Sequence, residues 1–201
     1  MSQDFGTTAT YQFYRTGRWL DRVRTTCSSD YIPGSKSDNE SDNALDYVLA
    51  FFLNCYHVKD WLKKGPGWRD DVEPTVKRKA IEQFINESDA LSICADLCNG
   101  SKHFNLDEEP RSGRTPEVLG EHHRVDLTQS PPIKTIRYTV RTGYGDFEAR
   151  ALAERCFEQW KNFIDQSTPQ SLEALAKRNV TKKRYRKVKC PACGEVHTVQ
   201  R

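Results

Sequence analysis

Two clusters in this 201-residue chain have the residue types and spacing to do chemistry. The first is Asp96-Leu97-Cys98-Asn99-Gly100-Ser101-Lys102-His103. At about 100° per residue, Asp96, Asn99 and His103 fall within about 60° of one another on a helix, away from Leu91, Cys94 and Leu97. An imidazole oriented by a carboxylate and an amide can serve as general acid or base near neutral pH. Lys102 beside it can neutralise an anionic transition state. The plainer reading of the same stripe is a solvated helix face.

The second cluster closes the chain: Cys190-Pro191-Ala192-Cys193-Gly194, with His197 three residues on. Cys-x-x-Cys can bring two thiolates onto one zinc ion, the Gly permits the tight turn, and His197 offers a third ligand. A structural zinc wants four. The fourth would be His122, His123, another Cys or a group from a second chain. The competing reading is a tail with two free thiols. No βαβ context surrounds the pair, so a thioredoxin-like redox use is not expected.

A basic run leads into that knuckle: Lys182, Lys183, Arg184, Tyr185, Arg186, Lys187 and Lys189. Residues 177–201 carry nine Lys and Arg against one Glu, a charge of +8, so the overall +3 leaves residues 1–176 at −5. A mildly acidic body with a basic tail is an electrostatic footprint for phosphate, and Tyr185 can stack on a base. The expected partner is nucleic acid, RNA ahead of DNA. An acidic protein partner would satisfy the same charge.

Other candidates are weaker. His57 and Asp60 lie one helical turn apart beside a wide apolar stripe, where a structural His is expected. His122 and His123 are consecutive, so in a strand they face opposite sides. No Gly-rich phosphate loop, G-x-S-x-G elbow or H-E-x-x-H is present. Seven Cys, an odd number with no scaffold spacing, point to a reducing cytoplasm. Cys55, Cys94, Cys98 and Cys156 read as small hydrophobes on or beside apolar helix sides. Charged residues make up 29% of the chain, no apolar run approaches a membrane span, and the N-terminus lacks a secretory pattern. A soluble, cytoplasmic protein with no membrane partner is expected.

The elements that must position these groups are mostly helical. Residues 8–26 read as a helix whose spacing Tyr11, Tyr14, Trp19 (or Arg18), Arg22 and Val23 approximate, although Gly17 weakens it, followed by a polar loop over 27–41. Residues 42–64 carry the widest stripe: Ala44, Leu45, Val48, Phe51, Phe52, Cys55, Val58 and Leu62. Ser41 is the expected cap and Gly65-Pro66-Gly67 the stop. Pro74 opens a third helix, and Ser88 or Asp89 either starts a separate segment or is passed through. A loop over 105–120 precedes strands at 122–128 and 133–141, read as a short hairpin. Asp146 then caps a helix to about Gln166, and a short helix runs from Pro169 to Lys177. The expected fold is mainly α: a helical bundle over 1–176 with a small inserted β-hairpin, and a basic zinc-knuckle-like tail over 177–201.

A helical bundle with Asn99-Gly100-Ser101-Lys102-His103 near one helix end resembles HEPN domains. These are all-α modules of toxin–antitoxin and phage-defence systems. Many are metal-independent ribonucleases with a site shared across a dimer. The family signature is Arg, a polar residue, three others and His, and here Cys98 stands where the Arg would be. A thiol cannot bind phosphate as a guanidinium does. The resemblance spans residues 8–166 as architecture and implies two functions. Either the chain binds and cleaves RNA, with His103 as acid or base, Asn99 and Asp96 orienting it, Lys102 neutralising phosphate, and a homodimer completing the site. Or it is a non-enzymatic adaptor whose bundle docks a protein partner and whose tail binds nucleic acid.

Overall fold

The computed structural model describes residues 8–30, 38–102, 110–113, 115–178, 185–189 and 196–200. Helix α1 (Ala9–Thr26) begins where Thr8 Oγ1 accepts from the Tyr11 N–H, satisfying one of the free amides of the first turn. Its buried stripe is Ala9, Gln12, Thr16, Leu20 and Val23. Tyr14, one of the residues whose spacing marks the helix, is 63% exposed. The polar members of the stripe are satisfied: the Gln12 amide donates to the Asn54 carbonyl at 3.1 Å, and the Thr16 hydroxyl to the Gln12 carbonyl at 3.0 Å. At Gly17, α1 faces the Phe157 ring, which a Cβ there would meet at 3.4 Å, an ordinary contact distance.

Strand β1 (Ser28–Asp30) and helix α2 (Asp38–Lys64) occupy part of what reads as one polar loop. Of the expected α2 stripe, Ala44, Val48, Phe51, Phe52, Cys55, Val58 and Leu62 are buried, and Leu45 is partly buried. Phe51 and Phe52 meet edge to face at 5.4 Å. Burying each such ring stabilises by roughly 1.5–3 kcal/mol, and α2 accordingly lies at the centre of the bundle.

Helix α3 (Pro74–Glu87) starts at a proline, and the Glu73 carboxylate accepts from the Val76 N–H at 2.9 Å. Helix α4 (Asp89–Lys102) is a separate segment. Ser88 has extended backbone, and its hydroxyl accepts from the Leu91 N–H at 2.9 Å, so it ends one helix and caps the next.

The β portion is larger than the expected hairpin. Strands β2 (Glu117–Asp126), β3 (Ile133–Thr142) and β4 (Gly145–Glu148) join β1 in a four-stranded antiparallel sheet. The β3 strand is central: β2 lies along one edge, and β1 and β4 share the other. Ile136, Tyr138 and Val140 alternate into the core, and a register shift between Leu119 and Glu121 marks a bulge at Gly120. Asp146 does not cap the following helix. Gly145, at φ +118°, turns the chain straight back against β3, so Asp146 pairs with Arg141 at 3.1 Å. The cap of α5 (Ala149–Gln166) is Glu148, whose carboxylate accepts from the Arg150 and Ala151 N–H groups. Leu152, Cys156, Trp160 and Phe163 form its inner face. Helix α6 (Pro169–Ala176) opens with a capping box between Thr168 and Ser171 and packs on α3.

Beyond the body, β5 (Tyr185–Lys189) and β6 (Val196–Gln200) pair antiparallel as a two-stranded ribbon, with Val188 opposite His197 and Lys189 opposite Val196. Among the described residues no helix is long and apolar enough to cross a membrane.

Candidate functional site

The α4 stripe can be followed as far as residue 102. Asp96 is 2% exposed, on the side of α4 that meets residues 110–113. Its carboxylate accepts from the Arg111 N–H at 3.0 Å, the Ser112 N–H at 2.6 Å and the Ser112 hydroxyl at 2.7 Å. Burial pushes its pKa above the ordinary range, against the pull of these three donors. Asn99 is half-buried. Lys102 ends α4, and His103 lies outside the described residues. Asp96 is therefore joined to a turn reaching it from further along the chain.

That turn is held from three sides. The Arg111 guanidinium donates to Asn86 Oδ1 at 3.0 Å and to Glu82 Oε2 at 3.3 Å, both on α3. Glu82 also pairs with Lys63 at the end of α2. Burial raises the Glu82 pKa, but Lys63 and Arg111 outweigh it, and the carboxyl rests below its ordinary value. From the sheet side, the Tyr144 hydroxyl donates to the Arg111 carbonyl at 3.0 Å. No local spacing in the sequence announces Arg111, Glu82 and Lys63 as partners.

Cys98 is 2% exposed, and its thiol donates to the Phe52 carbonyl at 3.1 Å. A side chain leaving α4 there enters the core between α4 and α2.

A second group emerges inside the bundle. The sulfurs of Cys55 on α2, Cys94 on α4 and Cys156 on α5 lie within 4.8 Å of one another, all fully buried. The Cys94 thiol donates to the Phe52 carbonyl at 3.4 Å and the Cys156 thiol to the Ala90 carbonyl at 3.3 Å. Burial pushes the Cys55 and Cys94 thiols well above the usual range. Burial also opposes charge on Cys156, but hydrogen bonds from Cys55 and Cys94 outweigh it and favour that thiolate. These three residues suit a soft metal ion, or a packed cluster of neutral thiols.

His57 is in contact with Asp60, Nδ1 to Oδ2 at 3.2 Å, on the part-exposed side of α2. His122 and His123 are successive residues of β2, opposite Arg137 and Ile136 on β3.

In the C-terminal segment, Lys182, Lys183, Arg184, Cys190 and Cys193 lie outside the described residues. Tyr185, Arg186, Lys187 and Lys189 are on β5 and His197 is on β6. Lys189 pairs with Val196, the last and first residues of the two strands.

The chain matches no protein-family model, no curated protein and no solved structure.

Proposed function

We propose that this protein binds RNA through its C-terminal ribbon, and that the helical body is a HEPN-like docking module rather than a nuclease. The observation that carries the reading is the charge division, +8 on residues 177–201 against −5 on the remainder. Four of the tail's cationic and aromatic residues, Tyr185, Arg186, Lys187 and Lys189, fall on one paired strand. A short β-ribbon spaces successive same-face residues about 6.5–7 Å apart, close to the phosphate repeat of an extended single strand. A zinc ion on Cys190, Cys193 and His197 would tie the knuckle to β6.

Binding is favoured over cleavage by two placements on α4. The buried Cys98 cannot present a group to a phosphate, and the Asp96 carboxylate is already engaged by Arg111 and Ser112. Docking of a protein partner is supported by Leu49 and Leu53, one turn apart on α2 and 40% and 36% exposed. Cleavage is the second reading, favoured by the half-buried Asn99 on the last turns of α4, just before His103.

Fluorescence anisotropy with a labelled single-stranded RNA tests the proposal. Deleting residues 177–201 should remove binding. Equal affinity with and without the tail would move the binding surface to the body.

A further inference from the structure

We propose that Cys55, Cys94 and Cys156 hold one thiolate-preferring metal ion, Zn²⁺ in the first instance, inside the helical core. This site is distinct from the Cys190–Cys193 knuckle. The three thiols come from three different helices, α2, α4 and α5, and converge with their sulfurs within 4.8 Å of one another. Zinc–sulfur bonds of about 2.3 Å place the sulfurs of one site roughly 3.7–4.0 Å apart, so small side-chain adjustments would close this trio on an ion. An iron–sulfur cubane holds its thiolates farther apart and does not suit the spacing.

The donor set is soft throughout. Cys94 and Cys156 each have a carbonyl acceptor, and the Cys55 sulfur lies within 4.8 Å of both of theirs. Cys98, one helical turn beyond Cys94, lies outside the trio and donates its thiol to the Phe52 carbonyl, so the site offers three sulfurs. Loading the trio releases three protons. Three neutral thiols and Zn²⁺ give a zinc tris-thiolate of charge −1 and 3 H⁺. Binding would staple the three helices together, whereas neutral thiols would act only as small hydrophobes.

The test uses the full chain carrying Cys190→Ser and Cys193→Ser, which leaves the core untouched. Produced in zinc-supplemented medium and moved to chelator-free buffer, it should retain one equivalent of zinc by elemental analysis. Its melting temperature should fall on zinc removal and recover on zinc addition. Adding Cys156→Ala should abolish retention. If that triple variant does not fold, cobalt substitution of the double variant decides, with thiolate-to-cobalt charge-transfer absorption expected. A folded double variant that holds no zinc, melts identically with and without zinc and shows no such absorption would overturn the proposal.

Discussion

Replacing Asp96 by Ala removes the acceptor for three donors at once, the Arg111 N–H, the Ser112 N–H and the Ser112 hydroxyl. Hydrogen bonds to charged acceptors contribute roughly 1.5–3 kcal/mol each, and an orphaned buried donor costs about 1–3 kcal/mol. The three do not add in full. The Arg111 amide is only part-buried and can take water, and the Ser112 hydroxyl can rotate, but the Ser112 N–H is fixed in a residue with no exposed surface. Relief of the carboxylate's own desolvation offsets part of the loss. About 3 kcal/mol remains, equivalent to a fall of roughly 6–12 °C in melting temperature for a body of this size. Circular dichroism melts and urea midpoints of Asp96→Ala against the parent read it directly. The variant Asp96→Asn adds a test of sign. A carboxyl whose pKa is raised by folding contributes stability that is fully present below its unfolded value near 3.8 and is lost as pH rises through the folded value. The parent should therefore lose stability relative to Asp96→Asn as pH climbs from 3.8 into the range above it. A change under about 0.5 kcal/mol for Asp96→Ala, the size of an ordinary surface substitution, would refute the anchoring role. A parent-minus-Asn difference that grows with pH would refute the sign.

If the preparation shows RNA cleavage, His103→Ala should abolish it while leaving RNA affinity and melting temperature unchanged. Persistent cleavage in that variant would remove His103 from any mechanism. Elemental analysis of the full chain should give two zinc ions, one in the core and one at the knuckle, and Cys193→Ser should remove one of them. An unchanged metal content in Cys193→Ser would exclude the knuckle as a zinc site.

Where structure follows local periodicity, it was readable in advance. The stripe of α2 from Ala44 to Leu62 is buried as its spacing requires, and Pro74 opens α3. Ser88 is a legible boundary because its hydroxyl accepts directly from the Leu91 N–H of α4. Misreadings arose where a tertiary partner outbid a local signal. Asp146 has a cap-forming side chain, but pairing of β4 with β3 moves the cap to Glu148. Tyr14 is apolar enough for an inner face, yet Gln12 and Thr16 take it because each finds a backbone acceptor. The candidate site was less legible. Asp96 stands out on α4, but its engagement by Arg111 and Ser112 depends on a loop returning from outside the helix. Cys55, Cys94 and Cys156 each look like separate core thiols. Only the packing of α2, α4 and α5 brings their sulfurs together.

The central claim is that the basic ribbon, and not the helical body, carries RNA affinity. The most direct measurement is the association constant for a single-stranded RNA, determined between 50 and 200 mM salt with and without residues 177–201. If the six cations from Lys182 to Lys189 each displace one counterion, log K should fall with log salt at a slope of about −4, roughly a 300-fold loss across that range. The truncated chain should show neither the affinity nor the slope. A truncated chain that binds as tightly as the full one, with the same salt dependence, would contradict the account.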